Sequence, residues 1–223
     1  MRTLRDHSLS LFFFAIFVAA LVGQSIAGHA EFNNTAVVHG SETYSYGRYI
    51  VSSEFGQAVM ENWQSEYLQF TLYIFATVWF VQRGSPESKK VDDAGTESDE
   101  DQKVSEHAQP DSPGWARVRG VKGFLYSNSL LIVMATIWLG SWFAQSVTGW
   151  NAYNMEQLDH SESTVGWLQF IGTADFWEST LQNWQSEFLA VGSMVVLSIY
   201  LRQRGSPESK PVGAPHAATG VEG

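Results

Sequence analysis

Four long apolar runs alternate with polar stretches along the chain: Leu9–Ala27, Tyr67–Val81, Leu130–Val147 and Phe188–Leu201. None of the four contains Lys, Arg, Asp, Glu or His. The first and third have 19 and 18 residues, close to the roughly 20 that cross a bilayer as a helix. The second and fourth are shorter, and the phrase NWQSE stands immediately before each, at 62–66 and 183–187. This pattern predicts an all-α integral membrane protein with four transmembrane helices. The first run also has the look of a signal peptide, with Arg2 and Arg5 ahead of it and Ser25-Ile26-Ala27 at its end. Its match to the internal third run favours a retained span.

That match belongs to a longer one. Asn62 recurs as Asn183, an offset of 121 residues, and the offset holds without a gap from about residue 8 to residue 89. Gln24-Ser25 maps onto Gln145-Ser146, His39 onto His160, and Glu54-Phe55 onto Asp175-Phe176. Two helices per copy send both copies into the membrane in the same direction, so the spans are expected as two parallel two-helix repeats. The expected organisation is repeat 1 over 1–89, an acidic linker over 90–126, repeat 2 over 127–210 and a flexible tail over 211–223.

Charge sets the expected orientation. Of 13 Lys and Arg residues, 12 lie in the N-terminal segment, the central connector or the C-terminal tail, and only Arg48 lies in the other two connectors. Basic residues favour the cytoplasmic side. Both termini are therefore expected inside, in a bacterial cytoplasmic (inner) membrane. The net charge of -10 argues against nucleic acid as a partner. The expected partners are the lipid bilayer and a membrane protein or a second copy of the chain. Residues 90–114 are acidic and nearly free of large apolar side chains, a composition that does not fold alone. With no cysteine, disulfides and Cys-based metal sites are ruled out.

The phrase GSPESK closes each repeat, at 84–89 and 205–210. Gly with Pro two residues on is a helix stop, and the preceding Arg residues suit the negative end of the helix dipole. This accounts for Gly, Pro and Arg but not for the retained Ser, Glu, Ser and Lys.

NWQSE is the richer phrase. Counting about 20 residues back from the end of each short run puts Glu66 and Glu187 at or just inside the outer edge of the hydrocarbon layer. A carboxylate there marks a functional site by default. Gln24, Ser25, Gln145 and Ser146 end the first and third spans at the same level, and Gln64 and Gln185 accompany the glutamates. Together they form a candidate ligand or ion site. The plainer reading has Asn62 and Asn183 as helix caps, with the glutamates in the first turn, and Gln and Ser as interhelical glue. The weaker metal candidates are His39 and His160, with Glu162 beside them. No cofactor and no catalytic motif is expected.

NWQSE-[YF]-L and RGSPESK, both present twice, resemble a family of small bacterial four-span integral membrane proteins catalogued as a domain of unknown function. The resemblance covers nearly the whole chain. It implies the four-span architecture and carries no activity or cofactor. The functional expectation is a small transporter or channel-like protein with an outward-facing Glu/Gln site; the alternative is a non-catalytic membrane scaffold or accessory subunit. A third reading, an enzyme using the two carboxylates on a lipid-borne substrate, lacks a phosphate or metal anchor.

Overall fold

The computed structural model describes residues 2–221, and among them the chain is all helical, with no strand. The elements are α1 (Arg2–Asp6), α2 (Ser8–His39), α3 (Tyr46–Tyr49), α4 (Ser53–Trp79), α5 (Gly120–Ser127), α6 (Ser129–Asp159), α7 (Trp167–Phe170) and α8 (Ala174–Tyr200). α6, α7 and α8 begin 121 residues after α2, α3 and α4. Three short 3-10 turns lie between α4 and α5, at Val91–Asp93, Ser105–His107 and Gly114–Arg117.

Two helices, α2 and α6, are long and apolar enough to cross a membrane. This corrects the expectation of four such helices. In α4 and α8 the NWQSE phrase lies inside the helix and dilutes the apolar run that follows it. A second correction concerns the helix starts. Asn62 and Asn183 are interior residues, not caps. Ser52 Oγ accepts from Phe55 N at 3.4 Å, and Thr173 Oγ1 from Phe176 N at 3.3 Å, at the two true starts. Glu54 and Asp175 then occupy the first turns, where a carboxylate suits the dipole.

The chain divides into two compact units, Met1–Met60 with Ala144–Phe176, and Glu61–Phe143 with Trp177–Gly223. The first unit holds the connectors that leave α2 and α6, and each is tied down by the same device. Asn33 Oδ1 accepts from Tyr44 N at 2.7 Å, and its Nδ2 donates to Tyr44 O at 2.9 Å. Asn154 does the same to Val165, at 2.8 and 3.0 Å. A ring nitrogen one turn earlier adds a second contact to each carbonyl: His29 to Tyr44 O and Trp150 to Val165 O, both at 2.7 Å. Buried aromatics fill the space beneath, with Phe170 packed on Tyr153 and Phe176, and Tyr49 on Phe32 and Phe55.

Burial, and secondarily the charge of Glu54, pushes the Tyr49 phenol above its usual range. The fold therefore favours the protonated phenol. Its contribution is full below about pH 10, the ordinary tyrosine value, and is lost as pH rises through the raised one. Tyr49→Phe is expected to flatten the alkaline fall of the melting temperature. An unchanged fall would show that other groups control it.

In the second unit the helix exits explain the retained serines and lysines of GSPESK. Ser88 Oγ accepts from Gln82 N and donates to Lys89 O, at 2.8 and 2.9 Å. Ser209 Oγ repeats this with Gln203 N and Lys210 O, at 2.9 and 3.1 Å. Each serine satisfies a backbone amide in the turn just beyond the helix end. Lys89 Nζ donates to Gly95 O and pairs with Glu97, both at 2.9 Å. Lys210, 1% exposed, donates to four carbonyls, of Gly84, Pro215, His216 and Ala218. Glu87 accepts from the Tyr73 hydroxyl.

Candidate functional site

The first unit contains a cavity of about 500 Å³, within the 300–1,000 Å³ usual for small-molecule sites. The last turns of α2 and α6, the loop after α2, and the first turns of α4 and α8 build its walls. Ser41 Oγ donates to Asp159 Oδ2 at 2.9 Å and joins the two helix ends. The rings of His39 and His160 meet edge to face there, with centroids 6.2 Å apart.

The lining is acidic and aromatic. Five carboxylates face the cavity, from Glu42, Glu54, Glu156, Asp159 and Asp175, against a single guanidinium, Arg48. Glu156, Asp159 and Asp175 are exposed, whereas Glu54 is half-buried. Its Oε2 is shut off from solvent and has no hydrogen-bond partner among the described residues. Phe32, Tyr44 and Tyr153 supply the aromatic walls. Arg48 lies over the Tyr44 ring, 3.7 Å from its centroid, and donates to Glu42 Oε1 at 2.7 Å. That hydrogen bond, with the charge behind it, holds the Glu42 carboxyl below its usual range.

Local geometry explains why the sequence places charge here. Arg48 is in α3, whose start is capped by Ser45 Oγ accepting from Arg48 N. The double tie from Asn33 fixes the backbone of Tyr44, so the ring is a preset platform for the guanidinium.

The residues expected to form the site are distributed otherwise. In the first unit, Ser25 Oγ is hydrogen-bonded to Tyr46 Oη at 2.7 Å, and Ser146 Oγ accepts from Trp167 Nε1 at 3.1 Å. Both serines thus anchor the short helices α3 and α7. Gln24 is half-buried and Gln145 fully buried. In the second unit, Gln64 is fully buried, and its Oε1 accepts from Trp184 Nε1 at 2.7 Å. Its Nε2 has no partner among the described residues. Trp184 in turn packs on Trp142, which stacks on Trp138. Gln185 is exposed, as is Glu66, while Glu187 is half-buried and within electrostatic reach of Glu66. The two copies of NWQSE therefore present different faces.

His39 and His160 do come together, but Glu162 does not line the cavity with them. Among the described residues no three His, Asp or Glu side chains converge as a metal-holding group. Glu54, Asp175, Glu156, Asp159 and Arg48 were not expected in a site. Two signals pointed towards them: the matched acids at 54 and 175, and the isolated basic residue at 48.

No curated protein and no solved structure matches the chain. The sequence model of one family matches residues 1–221, and its description is Domain of unknown function (DUF6766). This covers the whole length in which both repeated phrases and the cavity occur, and the chain belongs to that family.

Proposed function

We propose that the chain is a multi-pass membrane protein that admits a cation through an outer chamber, as a small transporter or channel. In this reading α2 and α6 cross the bacterial cytoplasmic membrane, and α4 and α8 accompany them across although their composition alone does not mark them as spans. The four form two parallel two-helix repeats, and both termini lie inside. Exposure supports the membrane reading. Only 6% of the most apolar stretch of α2 and 17% of that of α6 is buried, so neither is the core helix of a soluble domain. An apolar helix surface open to its surroundings is solvated by lipid. For α4 and α8, a length of 27 residues gives about 40 Å of helix. That leaves room for both an apolar span and a polar outer third. The distribution of basic residues supports the orientation.

The observation that carries the function is the cavity wall, with five carboxylates to one guanidinium. Such a cleft concentrates cations over bulk. Glu66 and Glu187, later in the same two helices and in the second unit, are a second candidate station, to be tested separately.

The test is cation flux into liposomes that contain the purified protein. Wild type is expected to conduct. Glu54→Gln with Asp175→Asn, and separately Glu66→Gln with Glu187→Gln, are expected to lower the rate at least tenfold with helix content unchanged. If wild-type liposomes are no more permeable than empty ones, the transport reading falls and the scaffold reading takes its place.

A further inference from the structure

We infer that the chamber takes a small organic cation, of the guanidinium or substituted-ammonium class, in preference to a bare metal ion. The inference rests on the proposed reading of the chamber as a cation site, and it names the ligand's chemistry.

The wall already holds one such cation. The guanidinium of Arg48 is stacked 3.7 Å from the Tyr44 ring centroid and hydrogen-bonded to Glu42. A delocalised cation over an aromatic face, with a carboxylate at its edge, is a favourable pairing in both its terms. Arg48 is thus a tethered stand-in for the class of ligand the wall accepts. The same two ingredients line the rest of the cavity. Phe32 and Tyr153 supply ring surface, and the carboxylates of Glu54, Glu156, Asp159 and Asp175 supply negative charge on the walls around them.

Ligand arrangement separates the two classes of cation. A metal ion such as calcium takes six to eight oxygens converging at about 2.3–2.6 Å. The acids here are spread around about 500 Å³, and no three side chains converge among the described residues. An organic cation needs no convergent shell. Its charge is spread over several atoms, its N–H groups reach carboxylates on different walls, and its faces are covered by rings.

The experiment is isothermal titration of the purified full-length protein with guanidinium, tetramethylammonium, potassium and calcium chlorides at matched ionic strength. Guanidinium or tetramethylammonium is expected to bind at one saturable site, with at least tenfold weaker binding in Glu54→Gln. Potassium and calcium are expected to give no saturable heat. Arg48→Ala is expected to lose thermal stability and to regain it with millimolar guanidinium but not with potassium. Binding of potassium or calcium alone would overturn the inference and leave the cation reading intact. Silence from all four would overturn both. Organic-cation binding unchanged in both Glu54→Gln and Asp175→Asn would remove the site from this chamber.

Discussion

Gly84→Ala is expected to release the C-terminal tail, while Gly205→Ala, the same change in the second GSPESK phrase, leaves it docked. Both glycines are left-handed, with φ of 89° and 82°. Any other residue there costs about 1 kcal/mol. Their surroundings differ. A Cβ on Gly84 would lie 2.5 Å from the His216 carbonyl oxygen and 3.0 Å from Ile199 Cγ2, whereas one on Gly205 would meet nothing within 4 Å. The His216 contact is backbone, so the tail itself must move. Overpacking of this kind adds about 1–3 kcal/mol, for a total near 3 kcal/mol at Gly84 and about 1 kcal/mol at Gly205.

The same segment carries the tail's attachments. Gly84 N donates to Thr219 Oγ1 at 2.8 Å, Lys210 Nζ to Gly84 O at 2.6 Å, and Gly220 N to Ser85 O at 3.1 Å. A loss of about 3 kcal/mol shifts the docked–undocked ratio more than a hundredfold. Hydrogen exchange of a peptide covering 210–221 should therefore accelerate towards the free-chain rate in Gly84→Ala and by less than tenfold in Gly205→Ala. Equal acceleration in both variants would mean that the left-handed turn alone, and not the contact with His216, decides docking.

Asn33→Ala is expected to lower the melting temperature by about 5 °C and to abolish cation binding in the chamber. The substitution removes both bonds to the backbone of Tyr44. The Tyr44 carbonyl keeps His29, but its N–H loses its side-chain partner beneath a buried ring. Leaving a buried donor unpaired costs about 1–3 kcal/mol. About 2 kcal/mol corresponds to a shift near 5 °C in a chain of this size. Because the Tyr44 ring seats Arg48, the chamber wall should loosen with it. Asn154→Ala orphans Val165 N in the same way. It should cost similar stability but leave the Arg48 platform in place. A thermal scan with a guanidinium titration separates the two. If Asn33→Ala melts like wild type, the connector is held by its aromatic packing and not by the asparagine tie.

Much of the architecture was legible in residue order. Helices follow from apolar runs free of Pro and of charge, and the 121-residue offset predicts that an element found in one copy recurs in the other. The starts of α4 and α8 were less legible. Asn62 and Asn183 look like caps because Asn favours that position, but Ser52 and Thr173 hold it, ten residues earlier. The intervening stretch can extend the helix because Phe55, Val59 and Trp63 recur at a spacing of four, and one face of it packs: Phe176 and Thr180 are buried in α8, and the residues of 53–61 in α4 are half-buried. Likewise, Ser and Lys in GSPESK look decorative until their targets are known. They bond to main-chain groups of turns, which no side-chain pattern reveals.

The candidate site was the least legible part. Counting back along the spans put Glu66 and Glu187 at one outer level with the Gln and Ser residues of both copies, as a single cluster. The fold makes the surroundings differ: Gln64 and Ser65 are buried, and Gln185 and Ser186 are exposed. The sequence alone therefore determined that the chain is helical, that α2 and α6 carry the longest apolar faces, and that its elements come in pairs. These properties depend on local composition and on period. Tertiary structure alone decided which carboxylates share a cavity. The acids at 42, 54, 156, 159 and 175 come from four separate segments, and only the packing of helix ends brings their side chains to one wall.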